Sequence, residues 1–209
     1  MSARRVVIAG LGDSGLLTAI RLARRDFDVV GISAKPALVS GQELGVRLAR
    51  PADWARDYWI PFDRFRGLDR VRIVQAELTG LDTDARTVLV RAADGSAGTE
   101  HYDALVISTG VTNGFWRQPN LQSANEIGAD LQGAHDRLAA APSIAVIGGG
   151  AAAVSSAANL AAAWPGKRID LYFPGERALP GHHPRVWATV RRRLTGTGGR
   201  AAADHDGRR

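Results

Sequence analysis

The feature that most constrains this chain is the run Val6-Val7-Ile8-Ala9-Gly10-Leu11-Gly12-Asp13-Ser14-Gly15. A short apolar stretch leads into three glycines spaced G-x-G-x-x-G. Leu16, Ala19, Ile20, Leu22 and Ala23 then recur at helical spacing. A strand, a glycine turn and a helix in that order suit the pyrophosphate of a dinucleotide. Gly10 permits the tight turn, Gly12 removes a Cβ so that backbone can approach phosphate, and Gly15 lets helix and strand pack closely. Asp13 and Ser14 lie in the first turn, where free N–H groups and the positive dipole end face the anion. By itself such a turn is also compatible with plain packing.

The pattern returns. Ile144-Ala145-Val146-Ile147 leads into Gly148-Gly149-Gly150-Ala151-Ala152-Ala153, a G-x-G-x-x-A turn before a second small-residue helix. Two fingerprints in one chain imply two nucleotide sites, which is far more specific than either alone. The fold class expected is α/β, with two Rossmann-like dinucleotide-binding units of the FAD/NAD(P)-binding type. They are placed at 1–122 and 123–194, with a disordered tail at 195–209.

Between the fingerprints the chain alternates strands and turns. Phe27 to Ile32 reads as the second strand of the first β-α-β unit. Where many such folds carry an acid for the adenosine ribose, this chain has Ser33, then Ala34 and Lys35. Ser33 can still bond a hydroxyl; Lys35 reads equally as a phosphate partner or as a surface lysine. Trp54 and Tyr58 have the spacing of one helical face, either a wall beside a cofactor or local core under a long loop. Residues 71–78 alternate like one strand, and 86–91 form another. Tyr102 to Gly110 has an apolar centre that suggests burial on both faces. Its end, Ser108-Thr109-Gly110, would lie at the carboxyl edge of the sheet, where ligands bind in open α/β folds. Ser123 and Glu126 fit a capping box that opens a helix over about 124–140. After the strand at Lys167–Phe173 no acid follows directly. Glu176 and Arg177 come later, and the choice between NADH and NADPH stays open.

Composition narrows the chemistry. The 209 residues include no cysteine, which excludes disulfides, thiol nucleophiles and Cys-based metal sites. The net charge of +6 gathers toward Arg185, Arg191, Arg192, Arg193, Arg200, Arg208 and Arg209. No nucleic-acid-binding signature accompanies it, so a solvated basic end is the favoured reading. His182, His183 and His205 lack the spacing of a metal set. No apolar run has the length of a membrane span, and a cytoplasmic location is expected.

Two fingerprints flanking Ser108-Thr109-Gly110 resemble the two-dinucleotide-binding flavoproteins of the pyridine nucleotide-disulfide oxidoreductase superfamily. Lacking cysteine, the chain is most similar to the branch of type II NADH dehydrogenases and apoptosis-inducing-factor-like oxidoreductases. The resemblance implies FAD at the first fingerprint, held by Gly10, Gly12, Asp13, Ser14 and Gly15. It implies Ser33 and Lys35 near the adenosine, Leu78 in the adenine region, and Thr109 and Gly110 in the family's A-T-G segment. It implies NAD(P)H at Gly148, Gly149, Gly150, Ala151, Ala152 and Ala153. The activity implied is hydride transfer from nicotinamide to flavin, with a small molecule or quinone as electron acceptor. Three departures matter. Ser33 replaces the ribose acid, and Ser155 stands where the family often has Glu. No Gly-Asp segment for the flavin's ribityl chain follows the second fingerprint. The resemblance therefore implies a chain shortened at its C-terminus, and a nucleotide-binding module without turnover is the alternative expectation.

Overall fold

The computed structural model describes residues 4–39, 44–110, 120–196 and 199–204. In chain order the first elements are β1 (Arg5–Ala9), α1 (Asp13–Ala23), β2 (Asp28–Ser33), β3 (Ala37–Leu38), α2 (Leu44–Ala49), α3 (Pro51–Asp57) and β4 (Ile60–Pro61). There follow β5 (Val71–Gln75), β6 (Glu77–Asp82), β7 (Thr87–Arg91), β8 (Ala97–His101) and β9 (Ala104–Ile107). The remainder is α4 (Ala124–Ala140), β10 (Ser143–Ile147), α5 (Ala151–Ala163), β11 (Arg168–Pro174), α6 (Pro184–Gly196) and β12 (Gly199–Asp204).

The chain divides into two compact units. One comprises Met1–Ser40 and Tyr58–Ile127, the other Gly41–Asp57 and Gly128–Arg209. The partition thus differs from 1–122 and 123–194, because α2 and α3 join the second unit.

In the first unit a parallel sheet runs β5-β2-β1-β9. Parallel neighbours need a crossover, and α1 supplies it between β1 and β2. Strand β1 is apolar at every position after Arg5 because both of its faces are covered. Val6 and Ile8 pack with Leu16, Ala19 and Ala23 of α1 and with Phe62 and Leu68. Val7 points the other way, to Val30, Ile32, Val88 and Val90. Helix α1 stops at Ala23, and Asp26 then takes φ 59°, a left-handed conformation that no helix continues through.

Residues 71–78 form two strands rather than one. Ala76 is buried, and its N–H donates to the Ser33 carbonyl at 3.0 Å. The chain then leaves the parallel sheet and enters the antiparallel β6-β7-β8 ribbon. Expected burial of the 102–110 strand on both faces is not observed. Leu105 and Val106 are half-buried, Ala104 is exposed, and Ile107 is 64% exposed. The reason is position: among the described residues β9 is an edge strand, paired only with β1.

The capping box forms as read. Ser123 donates its N–H and its hydroxyl to Glu126 Oε2 at 2.7 and 2.8 Å, and the Glu126 N–H donates back to Ser123 Oγ at 3.3 Å. The Ser123 N–H, then its hydroxyl, hold the Glu126 carboxyl below the usual carboxylate range.

The second unit has its own parallel sheet, β10-β11-β12. Helix α5 buries Val154, Ala157, Leu160 and Ala161, one face at helical spacing, in a core shared with Ile169, Leu171, Phe173 and Trp187. Trp164-Pro165 ends the helix, since proline has no N–H to continue it. The expectation of a disordered 195–209 is corrected in part. Helix α6 runs to Gly196, and Gly199–Asp204 pairs in parallel with Ile169–Pro174 of β11. Ladder bonds come from backbone, so a strand of small residues forms without an apolar signature. Residues 205–209 lie outside the described residues.

The Trp54–Tyr58 face does not form, because α3 ends at Asp57. Trp54 is 2% exposed, and the guanidinium of fully buried Arg47 lies 5.0 Å from its ring centroid, within range of a cation–π contact. Tyr58 is exposed. Local core is the reading that Trp54 supports.

Candidate functional site: two glycine loops of matching geometry

Each unit carries one glycine loop between its first strand and the following helix. In the first, the Gly10 N–H donates to the Ile32 carbonyl at 2.8 Å; in the second, Gly148 donates to Tyr172 at 2.8 Å. Both glycines have left-handed backbone, with φ 99° and 137°. A Cβ on Gly10 would lie 2.4 Å from the Ser108 carbonyl oxygen. Only glycine fits there.

The middle glycines are alike in a different way. Gly12 caps α1 with φ −73°, and Gly150 caps α5 with φ −83°, both extended. Neither Gly12 nor Gly150 makes a side-chain cap bond, as a residue without a side chain must. A Cβ on Gly12 or Gly150 would meet nothing within 4 Å. Among the described residues no neighbour requires glycine there. It leaves room directly over a helix N-terminus, where an anion is stabilised.

The third positions differ. A Cβ on Gly15 would lie 1.9 Å from the Gly10 carbonyl oxygen and 2.5 Å from Ser108 Oγ. The second loop is looser and accommodates Ala153, whose Cβ is 3.2 Å from where a Gly148 Cβ would stand. Gly149 serves packing: its Cβ would come 3.1 Å from Phe173 Cβ, and its carbonyl accepts from the Leu179 N–H at 2.7 Å. Asp13, Ser14, Ala151 and Ala152 are exposed in the first helical turns. Ser14 is occupied through its carbonyl, which accepts from Thr18 Oγ at 2.8 Å.

Other expected site residues are placed less simply. Ser33 is 6% exposed, and its hydroxyl works locally, donating to the Lys35 carbonyl at 2.8 Å and accepting from the Lys35 N–H at 3.1 Å. The Lys35 ammonium donates to the Asn120 carbonyl at 2.8 Å and to Gln122 Oε1. Both groups therefore have protein partners at the strand end. Leu78 is partly exposed in β6, two residues beyond the Ala76 link to Ser33. Thr109 and Gly110 follow β9, exposed, with Gly110 at φ 74°. In α5 the Ser155 carbonyl is met by Asn159 Nδ2 at 2.9 Å and faces Gly45 of α2, where a Cβ would come within 2.7 Å.

Ser108 is the residue whose role the sequence did not disclose. Its hydroxyl lies 2.7 Å from the Gly10 carbonyl oxygen, to which it donates, and 3.2 Å from that of Ala9. It ties the end of β9 to the first loop. Ser108→Ala is expected to destabilise the protein by about 0.5–1.5 kcal/mol, the worth of one such bond. Urea denaturation checks this, and an unchanged midpoint would show that the bond contributes nothing.

Among the described residues no helix is long and apolar enough to cross a membrane. No curated protein matches the chain by sequence. The model of the pyridine nucleotide-disulphide oxidoreductase family matches residues 4–199. Solved structures share the fold. Reduced CoADR-RHD of Bacillus anthracis superposes with TM-score 0.69 at 16% identity, covering 98% of this chain and 39% of that one. NDH2 of Plasmodium falciparum in complex with NADH gives 0.70 at 14%, covering 97% and 48%. The water-forming NADH oxidase of Lactobacillus brevis bound to NADH gives 0.63 at 19%, covering 96% and 46%. The chain thus spans less than half the length of each of these proteins. It belongs to the pyridine nucleotide-disulphide oxidoreductase family.

Proposed function

We propose that this family member is a flavin-linked NAD(P)H oxidoreductase module. In this reading the first loop, Gly10–Gly15, holds the pyrophosphate of FAD, and the second, Gly148–Ala153, holds that of NAD(P)H. The observation that carries the proposal is the open space over the N-termini of α1 and α5, at two glycines that no contact among the described residues requires. Asp13 and Ser14 border the first space; Ala151 and Ala152 border the second. Thr109 and Gly110 flank the first loop beyond Ser108. Ser33, Lys35 and Leu78 are assigned to the adenosine end, with the Ser33 hydroxyl and the Lys35 ammonium needing to exchange their present partners to reach it.

With both groups bound, the chemistry supplied is hydride transfer from nicotinamide to flavin, passed on to a small-molecule acceptor, quinones among them. The chain's own part is to bind and orient the pyrophosphates through backbone N–H groups and helix dipoles. No side chain is assigned as acid or base.

The test is a titration of the purified chain with FAD, followed by visible absorbance, and then anaerobic addition of NADPH or NADH. The expected result is saturable FAD binding and bleaching of the flavin band by the reduced nucleotide. Binding of both ligands without bleaching would favour the second reading, a nucleotide-binding module without turnover. Failure to bind either would overturn the proposal.

A further inference from the structure

We infer that the second unit takes NADPH at least as readily as NADH, because the strand-end position that selects for a free ribose hydroxyl is filled by Phe173. The inference rests on reading the second loop as a nicotinamide-nucleotide site.

The two units define the position by the same bonds. Ala9 is in register with Ile32, whose carbonyl accepts from Gly10; Ile147 is in register with Tyr172, whose carbonyl accepts from Gly148. The next residue is Ser33 in one unit and Phe173 in the other. A carboxylate near this strand end bonds the 2′-hydroxyl of NADH and repels the 2′-phosphate of NADPH. Phe173 can do neither. It is 4% exposed, edge-on to Trp187 with centroids 5.2 Å apart, and its Cβ supports Gly149. The position belongs to the core.

The following segment does not restore the lost acid. Pro174 and Gly175 are exposed, and Gly175 turns the chain at φ 77°. Within residues 171–185 the one carboxylate is Glu176, against Arg177 and Arg185, and on the neighbouring strand Asp204 is in register with Pro174. Arg177 is half-buried and donates through Nη2 to the Pro180 carbonyl at 3.0 Å, which holds its guanidinium on this loop. A 2′-phosphate could take the Arg177 guanidinium as its partner on this loop, whereas the apolar side chain of Phe173 offers a ribose hydroxyl no acceptor.

The full chain is titrated with NADPH and NADH in parallel by calorimetry, at one salt concentration. The expected result is a Kd for NADPH equal to or below that for NADH. Pro174→Glu, an exposed change at the strand end, returns a carboxylate without touching the core; it is expected to shift the NADPH-to-NADH affinity ratio about tenfold toward NADH. Tighter binding of NADH than of NADPH by tenfold in the parent chain would overturn the inference while leaving the second loop as a nucleotide site. An unchanged ratio in Pro174→Glu would overturn the placement of the ribose at this strand end. Binding of neither nucleotide would overturn the inference together with the site assignment beneath it.

Discussion

Replacing Gly15 with valine is expected to cost the first unit more than about 4 kcal/mol, enough to lose its folded state under ordinary conditions. The reason is geometric. The new Cβ would stand 1.9 Å from the Gly10 carbonyl oxygen, where no heavy atoms coexist. That oxygen cannot retreat easily. Gly10 is already in a conformation reserved for glycine, its N–H is bonded to Ile32, and its carbonyl accepts from the Ser108 hydroxyl. Gly12→Val, the same change three residues away, is the control. Its Cβ meets nothing within 4 Å and its φ of −73° suits any residue, so the cost should be about 1 kcal/mol, that of a poor helix cap. Urea denaturation of the two variants separates the cases. Equal stability of Gly15→Val and Gly12→Val would refute the close approach of α1 to the loop.

The parts of this fold that were legible in the sequence are those set by local rules. The glycine spacing located both loops and the small-residue helix α5 after the second, helical periodicity located α1 and α4, and the Ser123–Glu126 cap was readable to the residue. What escaped depends on distant neighbours. Nothing local to residues 44–57 says that they join the second unit; there Gly45 lies against Ser155 and Arg50 reaches Asn159 at 3.2 Å. The break at Ala76 follows from one bond to Ser33, forty-three residues earlier in the chain. Strand β12 is held by its ladder to β11, which no pattern of apolar residues announces. In the candidate sites the glycines were legible through their spacing, with left-handed backbone at Gly10 and Gly148 and close packing at Gly15. The engagement of Ser33 and Lys35 with their own neighbours was not, since a hydroxyl or an ammonium in a sequence does not state its partner.

The second large effect concerns binding rather than folding. Gly12→Val and Gly150→Val should each weaken nucleotide binding at its own loop by roughly 10²–10⁴ while leaving the other loop intact. A branched side chain would fill the space over the helix N-terminus and hold phosphate away from the first turn. Losing two charge-assisted bonds at about 1.5–3 kcal/mol each gives a loss of that size. Both loops are expected to keep their fold in these variants, because neither added Cβ meets an atom of the described residues within 4 Å.

The most direct measurement is a calorimetric titration of the parent, Gly12→Val and Gly150→Val with FAD and with NADPH, each variant first shown by circular dichroism to be folded. Gly12→Val is expected to lose FAD and keep NADPH, and Gly150→Val to lose NADPH and keep FAD. Parent-like affinity for both ligands in either folded variant would contradict the assignment of its loop.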